Sequence, residues 1–208
     1  MPGLAAPEAS SRNRLLFAAK TLFATAGYES TSTAAIARHA GTSESQIIKH
    51  FGGKAGLLEA IFTDGWGRLA QATESAMARF NSPVEKLRCI PETVFAGLNS
   101  DPALKHLMLL EGRRMRRDEP VVALTDGFLS FIRMIDGVLQ EMSDKGQLRA
   151  EVNTEAVRSA LVGMMEGALR DQLLAERGNF PAGFTTGHLL QIYDLILGAL
   201  IVDAPSAR

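Results

Sequence analysis

The 208-residue sequence has one cysteine, Cys89, so a chain cannot close a disulfide on itself, and a reducing compartment is the simpler expectation. The side chain then reads as a small apolar core residue and not as a reactive thiol. Long hydrophobic runs are also missing. The longest, Leu189 to Val202, is about 14 residues and is broken by Gln191 and Asp194, short of the ~20 that span a bilayer. The first ten residues hold Pro2, Gly3 and Pro7 but no basic start followed by an apolar stretch, so 1–10 read as a flexible arm and not as a signal peptide. A cytoplasmic protein with no membrane attachment is expected. The 4 histidines are scattered, with no His-x-x-x-His. No paired cysteines and no Gly-rich loop followed by Lys and Ser or Thr occur either, and those are the patterns that metal, nucleophilic or phosphate chemistry uses. An all-α enzyme is disfavoured on these grounds, and neither a metal nor a cofactor is expected.

What is abundant is Leu, Ala, Met, Glu, Arg and Gly, a composition that favours helix. The net charge is −1, so the whole molecule does not advertise nucleic-acid binding, but its distribution does. From Arg12 to Lys54 six basic residues (Arg12, Arg14, Lys20, Arg38, Lys49, Lys54) face two acidic ones (Glu29, Glu44), giving +4, and the rest is acidic by contrast. That suits a polyanion-binding head on a body kept off the phosphates.

Within the basic segment, Thr31 to Lys54 reads as a helix-turn-helix. Two short helix-forming stretches, Thr33 to Ala40 and Glu44 to His50, flank Gly41 and Thr42, and each follows a hydroxyl residue, Ser32 or Ser43, placed to cap the free N–H groups of its first turn. Gln46, three residues after Ser43, has the spacing of a capping box. Gly41 enters positive φ cheaply and lets the second helix leave at a steep angle. The preceding helix is expected over Ser11 to Ala26. Its stripe of Leu15, Leu16, Ala19, Leu22, Phe23 and Ala26 packs the motif, with Ile36, Ala37, Ala40, Ile47 and Phe51 as the inward set. That leaves Glu44, Ser45, Ile48 and Lys49 for the outer faces.

Lys54 opens a long helix to about Phe80 that joins head to body. Ser82-Pro83-Val84-Glu85 is a strong helix start, Pro91 inside that helix predicts a kink, and Asp101-Pro102 starts another ending near the basic run Arg113 to Arg117. That run reads as a solvated helix end. A further helix starts around Pro120 and is ended by Gly146. Asn153 caps Thr154 to Glu176, and Thr186 to Asp203 is last. The expectation is all-α with nine helices, with a helix-turn-helix domain over 11–55 and a body over 56–208. In the body, soft apolar residues suggest a hydrophobic effector pocket, with Trp66, Phe95, Met108, Phe128, Phe131, Met134 and Met164 as candidate lining and Glu111 to orient a ligand. Met or Phe at helical spacing is more often core than pocket, and Glu111 has the alternative of being satisfied in helix contacts. Ser159, Gly163 and Gly167 recur at four-residue spacing and allow close helix approach. With Leu189, Ile192, Tyr193, Ile196 and Leu200 they suggest a two-fold four-helix interface, the alternative being burial of those faces within one chain.

Across residues 14–62 the sequence resembles the DNA-binding domain of the TetR (tetracycline-repressor-like) family of bacterial transcriptional regulators. Arg14, Ala19, Leu22, Phe23, Gly27, Tyr28, Thr31, Ile36, Ala37, Gly41, Ser43, His50, Phe51, Lys54, Leu57 and Leu58 carry the likeness. The remainder matches in layout, with Gly-x-Leu-Arg at Gly146 to Arg149 before the eighth helix. The resemblance implies a homodimer formed by the last two helices, an effector pocket in the body, and a palindromic double-stranded DNA operator. It departs at Ile48, where the family commonly has a phosphate-binding Tyr, and at Ser45, a usual Gly. Phosphate contacts are expected from Thr33, His50 and Lys54, with Thr42 and Ser43 in the turn and cap. Base-edge contacts are expected from Ser45, Gln46 and Lys49, a cytosine contact from Glu44, whose place in the first turn the helix dipole explains equally well, and a thymine-methyl contact from Ile48, whose alternative is a core position. The function that follows is a ligand-responsive transcriptional regulator, a repressor released by a small hydrophobic effector. The competing reading is a helical adaptor without DNA binding.

Overall fold

The computed structural model describes residues 10–111 and 125–202, and of 110, 111 and 177 the backbone alone. Among the described residues nine α-helices form: α1 (Ser11–Ala26), α2 (Thr33–His39), α3 (Glu44–Phe51), α4 (Lys54–Met77), α5 (Pro83–Ser100), α6 (Pro102–His106), α7 (Asp126–Asp144), α8 (Thr154–Arg177) and α9 (Thr186–Leu200). The one β feature among them is an isolated antiparallel bridge between Leu148 and Ile201. No helix among them is long and apolar enough to cross a membrane.

Boundaries follow local chemistry. The Ser10, Ser32 and Asn153 side chains accept from the N–H groups of Asn13, Ala35 and Ala156, and Thr185 with His188 forms a reciprocal capping box at α9. The box expected at Ser43 does not form: the Ser43 side chain makes no cap bond, and its hydroxyl lies 2.8 Å from that of Ser45. Ser82 likewise occupies a cap position without a side-chain cap bond. The segment read as one helix after Pro102 is α6 followed by a π-helical turn, Leu107–Glu111. The expected starts and stops at Pro120 and Asp203, and the basic run 113–117, lie outside the described residues.

The chain divides into two compact units, whose described residues are 10–65, 102–111 and 125 in the first and 66–101 and 126–202 in the second. The divide falls inside α4 and not at its start. In the first unit α1 contributes Leu15, Ala19 and Phe23 to the core, α2 Ile36 and Ala37, α3 Ile47, and α4 Leu57, Leu58, Ile61 and Phe62. Gly41 (φ +62°) and Gly52 (φ +72°) take the left-handed conformation that turns the chain between helices, and Gly52 caps α3 through its N–H to Ile48 O.

The second unit buries Leu87, Ile90, Val94, Phe95 and Leu98 of α5, Phe131, Ile135, Leu139 and Met142 of α7, Leu161, Met165, Leu169 and Leu173 of α8, and Tyr193 and Leu197 of α9. Lys86 joins α5 to α7 through Glu141 at 3.1 Å. Hydrogen bonds from Lys145 first and Lys86 second hold the Glu141 carboxyl below the usual carboxylate range. Helix α5 is continuous through Pro91, which has no N–H to offer the Leu87 carbonyl one turn earlier. The Tyr193 hydroxyl supplies the missing donor, 3.2 Å from Leu87 O. Arg149, of the Gly-x-Leu-Arg stretch, caps α9: its guanidinium donates to Ala199 O at 2.8 Å and its backbone N–H to Leu200 O at 3.1 Å.

Candidate nucleic-acid interface

Ile47 decides how α3 is rotated. It is fully buried, and its neighbours Glu44, Ser45, Ile48 and Lys49 are exposed, with Gln46 half-buried between the two environments. Ile48 is 67% exposed, which excludes the reading of this side chain as core. An isoleucine in that position on an isolated head has no packing reason to be there.

Flanking groups carry the polar chemistry. The Thr33 hydroxyl donates to a Glu44 carboxylate oxygen at 2.6 Å, joining the first residues of α2 and α3. Thr42 is half-buried in the turn, its N–H donating to Ala37 O at 3.0 Å. His50 is half-buried, with Nε2 3.2 Å from the Ser11 hydroxyl of α1. Lys54 Nζ lies 4.3 Å from the centre of the Tyr28 ring and 3.4 Å from Glu29 O. Such a cation over an aromatic face is held in place without losing its charge. The Arg12 guanidinium sits similarly 5.3 Å over Phe51. Sequence reading gives neither Tyr28 nor Arg12 a seating role, because cation–ring pairs from α1 to α3, and from α4 to the loop after α1, have no fixed spacing. All the candidate DNA-contacting residues therefore belong to the first unit.

The candidate effector residues are divided. Trp66, Phe128 and Phe131 form one cluster, with ring centres 4.9 Å apart for Trp66–Phe128 and 5.3 Å for Trp66–Phe131. Phe131 is buried, while Trp66, Phe128 and Met134 are half-buried. Phe95 and Met164 instead meet Pro91, Met165 and Tyr193 around a gap with no room for a water molecule, Phe95 as buried core and Met164 half-buried. Met108 is buried in the first unit. The side chain of Glu111 lies outside the described residues. Among the described residues no group of three or more His, Cys, Asp or Glu side chains could hold a metal ion.

On the candidate interface, Ser159, Gly163, Ile192 and Ile196 are exposed and Gly167, Leu189 and Leu200 half-buried. Tyr193 needs correction: it is 2% exposed and spends its hydroxyl on Leu87 O, so it belongs to the interior of the protomer. The face of α9 that points outward carries Leu195 instead, 69% exposed, together with Ile192. Cys89 is half-buried and its thiol donates to Lys86 O at 3.1 Å. Burial, ahead of a lowering backbone hydrogen bond and the nearby Glu92, pushes this thiol up. Ellman's reagent at pH 8 should therefore modify the folded chain more slowly than the urea-unfolded chain, since the thiolate is the reacting species. Equal rates would show an accessible, ordinary thiol.

Comparison with known proteins agrees with this geometry. Over 180 residues the chain is 24% identical to the HTH-type transcriptional regulator UidR of Escherichia coli, covering 83% of this chain and 88% of that one. Over 197 residues it is 25% identical to the HTH-type transcriptional repressor AcnR of Corynebacterium glutamicum, covering 92% and 93%. The fold matches the solved structure of the transcriptional regulator FadR from Bacillus subtilis in complex with stearoyl-CoA, with a TM-score of 0.75, 18% identity, and 93% and 99% of the two chains covered. The family model of the YsiA-like protein C-terminal region matches residues 62–180, more than half of the chain, directly after a match over 15–61 to the model of bacterial regulatory proteins, tetR family. With its capped helix-turn-helix head and helical body, the chain belongs to the tetR family of bacterial regulatory proteins.

Proposed function

We propose that this protein is a homodimeric repressor that sets α3 of each protomer into the major groove of a palindromic double-stranded operator and leaves it when a small hydrophobic effector binds the body. The observation that carries this reading is the outward face of α3, where Glu44, Ser45, Ile48 and Lys49 are exposed while Ile47 anchors the helix from behind. Lys54, seated on Tyr28, and His50, seated on Ser11, flank that face as phosphate contacts, and the start of α2 adds its free N–H groups. Lys49 and Gln46 reach base edges, and Ile48 touches a thymine methyl in place of a backbone contact. The Trp66–Phe128–Phe131 cluster is the apolar wall on which an effector is received. The stearoyl-CoA bound by the B. subtilis FadR supports an effector with a large apolar part.

Selection of bound sequences from random duplex DNA tests the reading. An inverted repeat with half-site centres about 34 Å apart should be enriched. Lys49→Ala should change the base preferred at one half-site position by roughly tenfold, whereas Lys54→Ala should weaken all sequences alike and reduce the salt slope by about one. Uniform loss at every operator variant after Lys49→Ala removes Lys49 as a reader, and no enriched site at all removes the DNA-binding reading.

A further inference from the structure

The Thr33–Glu44 hydrogen bond lies across the first residues of α2 and α3, on the side of the head that carries the exposed readers. Its 2.6 Å separation is that of a charge-assisted bond from a hydroxyl to a carboxylate. The neighbouring Ser43 hydroxyl is turned to Ser45, so it does not compete for the same carboxylate.

We propose that Thr33 is a positioning residue, whose hydroxyl fixes the Glu44 carboxylate so that this carboxylate selects a cytosine at one position of each half-site. The inference rests on α3 being the recognition helix. A carboxylate only accepts hydrogen bonds, and it sits poorly against any base edge that also presents an acceptor. In the major groove thymine offers O4, guanine offers N7 and O6, and adenine places N7 beside its amino group, while cytosine offers its N4 amino group alone. An exposed glutamate held by no partner would lose rotamer freedom on docking and would repel the phosphates in every orientation. Tied to Thr33, it is held in one orientation before DNA arrives, and one oxygen keeps lone pairs for the base. Glu44 thereby adds little to affinity and more to discrimination, because each non-cytosine base at that position leaves the carboxylate facing an acceptor. The Thr33 hydroxyl, spent on the carboxylate, is withdrawn from the phosphate contact that its place at a helix start suggests.

Selection from random DNA with the full chain and its Thr33→Val, Thr33→Ser and Glu44→Gln variants decides this. The unmodified protein should enrich cytosine at one half-site position. Thr33→Val and Glu44→Gln should each reduce that preference about 3- to 10-fold while preferences elsewhere persist. Thr33→Ser, which keeps the hydroxyl, should restore it, and Thr33→Val added to Glu44→Gln should change nothing further. A Thr33→Val protein that binds every sequence more weakly by one factor, with a salt slope lower by about one, is a protein that has lost a phosphate contact, and overturns the inference. So does an enriched operator without cytosine preference at any position sensitive to Glu44→Gln. Failure of the unmodified protein to enrich any sequence overturns it too, together with the DNA-binding reading beneath it, and is told apart by that.

Discussion

Replacing Tyr193 by phenylalanine should destabilise the protein by about 1–3 kcal/mol, the cost of leaving a buried carbonyl without its donor. The reason lies in α5 and not in α9. Pro91 deprives Leu87 O of the helical N–H four residues on. Tyr193, buried on α9, fills the vacancy with its hydroxyl at 3.2 Å. Burial first, then the nearby Cys89 and Asp194, push the Tyr193 phenol well above the usual tyrosine range, so it remains a donor wherever the fold persists. A raised folded-state value means that this stabilisation is whole below about pH 10 and is lost as pH climbs through the folded-state value. Urea unfolding of wild type should therefore weaken more steeply above pH 10 than that of Tyr193→Phe. The sharper check is a double-mutant cycle: Pro91→Ala restores an N–H at residue 91, so Tyr193→Phe should cost about 1 kcal/mol less in that background. An equal cost in both backgrounds shows that Tyr193 does not act as the replacement donor.

The same pair shows where sequence reading stops. Pro91 predicts a kink in α5, whereas the helix runs on through it, and the residue that supplies the missing donor is 102 positions away by subtraction of 91 from 193 and is named by no spacing rule. Helix α9 reads Thr-Gly-His-Leu-Leu-Gln-Ile-Tyr-Asp-Leu-Ile-Leu-Gly-Ala-Leu, apolar on most of its circumference. Periodicity therefore cannot say which side faces inward. Tyr193 was expected outside and is inside; Leu195 was passed over and is exposed. The head was far more legible. Gly27, Gly41 and Gly52 mark each chain reversal, and Leu15, Phe23, Ile36 and Ile47 are buried as the helical stripe predicts, although Ala26 of the same stripe and Phe17 beside it are exposed. What escaped there was side-chain choice among nearby partners: Ser43 bonds Ser45 instead of the α3 backbone, and Thr33 bonds Glu44. Such choices turn on small energy differences that short polar side chains settle locally.

Leu195→Glu should give a folded monomer. In the protomer Leu195 is 69% exposed and Ile192 48%, so a charge at 195 meets water there and should leave the melting temperature of the protomer nearly unchanged. If the proposed two-fold interface is built on the outward face of α9, a glutamate at 195 would be carried from water into an apolar contact that cannot solvate its charge. Light scattering at micromolar concentration should then report half the mass of the wild type. The consequence for DNA is larger than for stability. Two heads held in one dimer bind two half-sites with an effective concentration that a free head lacks, and losing it should lower affinity for the inverted repeat by 10²–10⁴ while a single half-site is bound as before. A Leu195→Glu protein that remains dimeric and keeps full affinity for the repeat shows that this face is not where two copies meet. One that becomes monomeric but keeps full affinity shows that the operator is read by one head at a time.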